Sequence, residues 1–290
     1  RDVIRNSLSV VSNEAMGSRF IGSADFAMRD MEQLGPIFTS IGKDITHMGN
    51  MEMDKVSQSY AVAQLRQYTN SYIPRKQDFR YRGFIANLHG KGMIGFRKTA
   101  RSSWYADGFE NTKIWSGAEI DPLNNAVPKY EWSIKTNDEG KIFPTNISFG
   151  NTELISLKQT EYQTEYLLNN AVVTSYSDAD KHRLVTALVP VKTTQKDFIK
   201  DITTVSQVQY GSYYLPSKTT TTINGGFAVS STDLSYLHNP SGEGKDYFIG
   251  RPETKIESLS AYGDTKGAKE EYTYENNLLK TKKSYDRIGD

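Results

Sequence analysis

The 290-residue sequence contains no cysteine. That absence excludes a disulfide framework, a thiolate nucleophile and a cysteine-ligated zinc, so packing and sheet hydrogen bonds must carry the stability. No stretch approaches the ~20 apolar residues of a membrane-spanning helix. An excess of charge of one sign is missing too: 35 Lys and Arg against 34 Asp and Glu leave a formal +1. The two signs are scattered together, so no nucleic-acid face is expected. The four histidines, His47, His89, His182 and His238, have neither i,i+4 nor His-x-His spacing, which argues against zinc and against histidine catalysis. There is no Gly-x-Ser-x-Gly and no P-loop. Gly90-x-Gly92-x-x-Gly95 has the letters of a dinucleotide fingerprint, yet a strand is expected after it, so no helix N-terminus would face a pyrophosphate. Asp178-Ala179-Asp180 and Asn137-Asp138-Glu139-Gly140 lack the glutamate that closes an EF-hand loop and read as turn acids. The methionines at 28, 31, 48, 51 and 53 read as gap fillers, not thioether metal ligands. No cofactor or metal is expected.

What the sequence does hold is aromatic residues in alternating runs, with 18 Tyr, 12 Phe and 3 Trp. Phe79, Tyr81, Gly83 and Ile85 alternate up to a break at Asn87-Leu88-His89-Gly90, and the pattern resumes from Met93 to Thr99. This predicts two strands around a turn, with glycine at 90, 92 and 95 permitting a bend or bulge. Tyr272 and Tyr274 share a strand face, Asn276-Asn277 supplies a turn tolerant of positive φ, and Leu278 to Tyr285 returns. Weaker copies run from Tyr130-Glu131-Trp132 through Asp138-Glu139-Gly140 to Phe149, and from Tyr162 and Tyr166 across Asn169-Asn170 to Tyr176-Ser177-Asp178.

The remaining strands expected are Lys113 to Ser116, Leu154 to Tyr166, Val172 to Tyr176, Arg183 to Lys192, Ile202 to Tyr210, Tyr214 to Ile223 and Phe227 to Leu237. Asn224-Gly225 is the clearest hairpin turn. In Ser57 to Asn70, the residues Tyr60, Val62, Leu65 and Tyr68 suit a helix face as well as a twisted strand. Val3 to Val11 and Phe20 to Met28 are candidate strands, and Met28 to Met53 has breakers every few residues and suits a loop excursion. Trp104-Tyr105, Trp115 and Trp132 could stack on sugars if exposed or fill a core if buried.

Tyr81-Arg82-Gly83 with Gly90-Lys91-Gly92-Met93-Ile94-Gly95-Phe96-Arg97 resembles a signature segment of the YD-repeat, or Rhs-repeat, family, which includes Tc toxin B components and SpvB-type virulence proteins. Gly250-Arg251-Pro252 and the unit from Tyr272 and Tyr274 to Tyr285-Asp286 resemble the start of its regular repeats, with Asn277 where the repeat usually carries glycine. The resemblance places a strand over Ser57 to Asn70. It implies an all-β fold of repetitive antiparallel hairpins, part of a wound shell or cocoon: residues 1–59 an irregular β and loop-rich lead-in, residues 60–290 the hairpin array. The implied role is structural and non-enzymatic, a secreted or cell-surface β shell that encapsulates a C-terminal toxin cargo. Implied partners are the rest of the same long polypeptide or a companion shell subunit, the cargo itself, and a translocation channel. The alternative is a cell-surface adhesin or glycan-binding module. With no signal-peptide character in Arg1-Asp2-Val3-Ile4-Arg5 and an ending inside a repeat, the chain is expected to be a segment of a longer protein.

Overall fold

A computed structural model describes residues 24–30, 50–53, 60–68, 74–87, 92–122 and 124–287. Among them the protein is all-β, with strands paired antiparallel, short 3-10 turns and no α-helix. The chain divides into two compact units, Arg1–Leu157 and Lys158–Asp290. Val3 to Val11, Gly90 and the 59/60 boundary expected from the sequence lie on or against residues outside the described set.

Unit one carries β1 (Ala24–Asp30), β2 (Asn50–Met53), β3 (Tyr60–Gln67), β4 (Arg75–Asn87), β5 (Gly92–Ser102), β6 (Tyr105–Ala106), β7 (Ile114–Asp121) and β8 (Val127–Lys135), and ends inside β9 (Leu154–Leu168). The residues from 60 to 67 are a strand, not a helix. The 13-residue β4 organises the unit because it changes neighbours along its length. Arg75 and Lys76 pair with β6, and Arg75 to Asp78 pair with β3. From Phe79 onward it pairs with β5, and over Phe84 to Asn87 also with β2. Asp78 sits at the change. The β4–β5 ladder shifts register between Ile85 and Ala86, opposite Gly95 at φ 123°, so the expected bulge is present and glycine is what permits it. β5 then pairs with β7, and β7 with β8.

The core of unit one is built on Trp115, Trp132, Ile85, Ile134, Ile142 and Leu157, all 3% exposed or less. Gly117, opposite Trp132 in the β7–β8 ladder, leaves room for the indole: a Cβ there would lie 2.3 Å from two ring atoms. The stretch from Ile142 to Phe149 is not the strand its composition suggests. Pro144 lacks an N–H for a ladder. Asp138 and Asn151 instead accept the backbone N–H groups of Gly140 and Glu153, turning the segment locally. Those turns lay Ile142 and Phe143 against Trp132, whose Nε1 donates to the Ile142 carbonyl at 3.1 Å. Burial of two large side chains outweighs strand propensity there.

Unit two contains the rest of β9, then β10 (Ala171–Val173), β11 (Val185–Asp197), β12 (Ile202–Tyr210), β13 (Pro216–Ile223), β14 (Ala228–Asn239), β15 (Phe248–Ala261), β16 (Asp264–Glu275) and β17 (Leu278–Tyr285). From β11 to β17 each strand pairs with the next. Asn169-Asn170, Tyr262-Gly263 and Asn276-Asn277 are two-residue hairpin turns with both residues at positive φ. That is the geometry whose twist matches the flanking strands. Asn224-Gly225 turns the β13–β14 hairpin as expected, within a four-residue loop. None of the described residues after Leu157 is buried.

A repeated tyrosine–proline device runs across this unit. Tyr210, Tyr236 and Tyr274 each donate a hydroxyl to the carbonyl of a proline on the preceding strand, Pro190, Pro216 and Pro252, at 2.8–2.9 Å. Each tyrosine also marks a register shift in its ladder, and Tyr210 and Tyr236 stand opposite Pro216 and Pro252 on the following strand. Proline tolerates a strand where an N–H would not be used, at a bulge or an edge. The tyrosine hydroxyl satisfies a carbonyl beside the interrupted ladder.

Candidate functional site

A buried cluster of ionisable and polar side chains surrounds Asp78, at the point where β4 changes neighbours. Asp78 is 4% exposed. A bare carboxylate so deeply placed would be strongly disfavoured, and three strands and the residue that leads into a fourth supply its partners. Gln64 Nε2 on β3 donates to Oδ1 at 2.7 Å. Tyr105 OH on β6 donates to Oδ2 at 2.8 Å, and Lys113 Nζ, one residue before β7, lies 3.3 Å from the same oxygen. The Asp78 backbone N–H donates to Ser102 Oγ at the end of β5. Burial first, and then the hydrogen bond to Asp78, raises the Tyr105 hydroxyl far above its ordinary range. It therefore stays a neutral donor. Lys113 is itself buried, with Nζ 5.2 Å from the Tyr105 ring and 5.4 Å from the Trp115 ring, positions favourable to a cation. Trp115, fully buried, donates Nε1 to the Thr136 carbonyl.

An open trough of about 460 Å³ lies along Phe79, Tyr81, Thr99, Arg101, Gly117 and Glu131. Among the described residues no group of three His, Cys, Asp or Glu is placed to hold a metal ion.

The motif residues singled out in the sequence fall in both units, with local contacts inside each. Tyr81 donates its hydroxyl to the Val62 carbonyl at 2.8 Å and sets its ring 4.5 Å from Phe96. Burial raises its pKa. Gly83 and Gly92 have φ of 62° and 68°. Arg97 and Lys98 both reach the buried Glu119, at 3.4 and 3.1 Å. In unit two, Gly250 has φ 78°, and a Cβ there would meet the Leu215 side chain at 2.8 Å. The Arg251 guanidinium lies 3.7 Å from the centre of the Phe248 ring and 5.4 Å from that of Tyr274. The Pro252 carbonyl accepts from Tyr274. Tyr272 donates to Glu270, and Tyr285 to Glu271 at 3.0 Å. Asp286 follows β17 in an exposed bend.

Exposure separates the aromatic candidates. Trp115, Trp132 and Tyr105 are core residues, whereas Trp104 is 39% exposed. Sequence reasoning missed the Asp78 cluster, whose members are spread over Gln64 to Lys113 with no shared motif. It also missed the tyrosine–proline device, for which a signal exists: Pro190-x-Lys192-Thr193-Thr194 recurs as Pro216-x-Lys218-Thr219-Thr220, with a tyrosine 20 residues after each proline.

No family model and no curated protein matches the sequence. The fold, however, has a solved counterpart in a Tc toxin structure. The crystal structure of TcdB2-TccC3-Cdc42 matches over 75% of this chain, with 7% identity and a TM-score of 0.51. The likeness is one of fold. This chain spans 15% of the length of that neighbour, and at such identity no residue role passes from one to the other.

Proposed function

We infer that this chain is a non-enzymatic segment of a secreted or surface-exposed toxin-type protein, a stretch of β shell that encloses and protects a polypeptide cargo. The observation that carries this reading is the fold likeness over 75% of the chain to the TcdB2-TccC3-Cdc42 structure. The YD-repeat resemblance of Tyr81 to Arg97 and of Gly250 to Asp286 points the same way. The build of unit two supports it as well: successive hairpins in which none of the described side chains is buried suit a wall more than a globule. Winding such a strip pairs strand edges that would otherwise invite aggregation. The partners on this reading are the remainder of the polypeptide or a companion shell subunit, the enclosed cargo and a translocation channel. A near-zero net charge gives no reason to add nucleic acid. Burial of the Asp78 cluster supports a structural role for its ionisable groups, since no outside substrate reaches them.

Cryo-electron microscopy of the longest polypeptide containing this segment tests the reading. A hollow β shell with polypeptide density inside is the expected result; an open sheet with solvent on both faces would reject it. Turnover of a peptide or glycan by the purified chain would separately reject the non-enzymatic role. The adhesin alternative draws on one observation, the exposed indole of Trp104. Saturable glycan binding that disappears in Trp104→Ala would move it to first place.

A further inference from the structure

The chain has no cysteine, so any covalent staple must come from other chemistry. The geometry points to an intramolecular isopeptide bond between Lys113 and Asp78, formed by condensation of the Lys113 amine with the Asp78 carboxyl group. The two groups come from segments 35 residues apart, are both buried, and already meet at 3.3 Å. Held in this way, an amine and a carboxyl group react as one molecule, and the loss of translational freedom that opposes amide formation in solution is already met by the fold.

The surrounding side chains divide the carboxyl group into two unlike oxygens. Oδ1 accepts from Gln64 Nε2 at 2.7 Å and is the oxygen that remains. Oδ2 faces both Lys113 Nζ and the Tyr105 hydroxyl and is the oxygen that leaves. Proton transfer within the pair converts ammonium and carboxylate into amine and carboxylic acid. Nζ then bonds to Cγ, and Gln64 stabilises the negative charge gathering on Oδ1. The Cγ–Oδ2 bond breaks with Tyr105 relaying a proton, and Oδ2 departs as water with two of the three ammonium protons. The third stays on the new amide nitrogen, so no oxidant, metal or external reagent is consumed. The driving force is local: two charges in a site of low dielectric constant become one neutral amide, removing the desolvation cost both ions carry. The link ties β4 to the start of β7 beside Trp115, and it pins the place where β4 changes neighbours.

The full 290-residue chain, purified and incubated at neutral pH, is measured intact by mass spectrometry under denaturing conditions and then digested. The expected result is a mass lower by one water and a branched peptide joining Lys113 to Asp78. Lys113→Arg and Asp78→Ala show the full mass and lack that peptide. Gln64→Leu and Tyr105→Phe show a smaller linked fraction at a fixed early time. The full mass in the unsubstituted chain overturns the proposal whether or not any variant folds. A water loss without the branched peptide, as from a cyclised aspartate elsewhere, overturns it equally. If Gln64→Leu and Tyr105→Phe both link at the unsubstituted rate, the roles given to those two side chains fall.

Discussion

Residues 60–157 and residues 158–287 share antiparallel hydrogen bonding and differ in what stands behind it. In the first region the ladders back onto a core in which Trp115 and Trp132 are closed off from water. In the second no described residue is buried, and the strands carry Ser and Thr pairs across the ladder, such as Ser231 with Ser258 and Ser235 with Thr254. Cross-strand pairs of this kind contribute roughly 0.2–1 kcal/mol each, whereas one large core side chain contributes several times that. Sheet geometry and sheet stability therefore have separate sources in one chain. The first region holds its shape through a few expensive positions, the second through many cheap ones.

The sharpest way to test that contrast is to remove one side chain from each region. Trp115→Ala is expected to lower the stability of the first region by about 3–5 kcal/mol, read from denaturant unfolding followed by tryptophan fluorescence. Because all three tryptophans lie before residue 158, that signal belongs to the first region alone. Leu259→Ala, in β15 at a site more than half exposed, is expected within ~0.5 kcal/mol of the unsubstituted chain, read from amide hydrogen exchange in β14 to β16 because the tryptophans do not report on that region. Equal losses would show that unit two depends on packed side chains as unit one does. Next comes Gly117→Ala, which sets a methyl group into the Trp132 ring. Overpacking of this sort costs about 1–3 kcal/mol, and adding Trp132→Leu should recover part of it. No recovery would mean that the glycine serves its backbone conformation and not the indole.

The third effect depends on pH. The Tyr105 hydroxyl is raised by burial and by Asp78, so the unfolded chain loses that proton first. Its contribution is complete below the ordinary tyrosine value of ~10 and falls as the pH rises beyond it. Tryptophan fluorescence should report a loss of stability in alkali that Tyr105→Phe diminishes. An alkaline profile unchanged in Tyr105→Phe would break the assignment.

The positions of many strands and of three turns were legible in the sequence because period-two alternation and Asn-rich turns are local signals. Asn169-Asn170, Asn224-Gly225 and Asn276-Asn277 all turn the chain as their residue types require. Tyr262-Gly263 was less legible: a tyrosine at φ 54° is carried there by the register of β15 on β16, a tertiary constraint. The segment from Ile142 to Phe149 reads as a strand because its apolar residues alternate with polar ones. Its packing on Trp132 depends on a partner ten residues away that periodicity does not reveal. Asp78 is illegible for a stronger reason. Nothing in Gln77-Asp78-Phe79 marks the aspartate as buried; only the change of strand partners at that residue brings Gln64, Tyr105 and Lys113 around it.

Among hydroxyl deletions in unit two, Tyr236→Phe is expected to cost about 1 kcal/mol, the net value of one hydrogen bond, read as faster amide exchange in β13 and β14. Its bond to the Pro216 carbonyl is partly buried, whereas those of Tyr210 and Tyr274 are exposed and should contribute less. If Tyr210→Phe and Tyr274→Phe match or exceed Tyr236→Phe, the three bonds act together and not as separate increments.

The smallest effect, and the one most specific to the second region, lies in acid. Glu270 is held below the usual carboxylate range first by Lys282 and then by Tyr272, and Glu271 first by Lys269 and then by Tyr285. A carboxylate whose folded pKa is depressed contributes stability above its unfolded value, ~4.3 for glutamate, and loses it as the pH falls through the folded value. These ion pairs are open to solvent and weakened by salt, so the loss is modest and confined to β16 and β17. Hydrogen exchange below pH ~4 should quicken in peptides from 264–285 while the tryptophan signal of the first region holds. Added salt at neutral pH should reproduce part of the same change. If acid instead releases β4 to β8 first, the core of unit one is less independent of charge than its buried tryptophans imply, and the contrast between the two regions fails at its root.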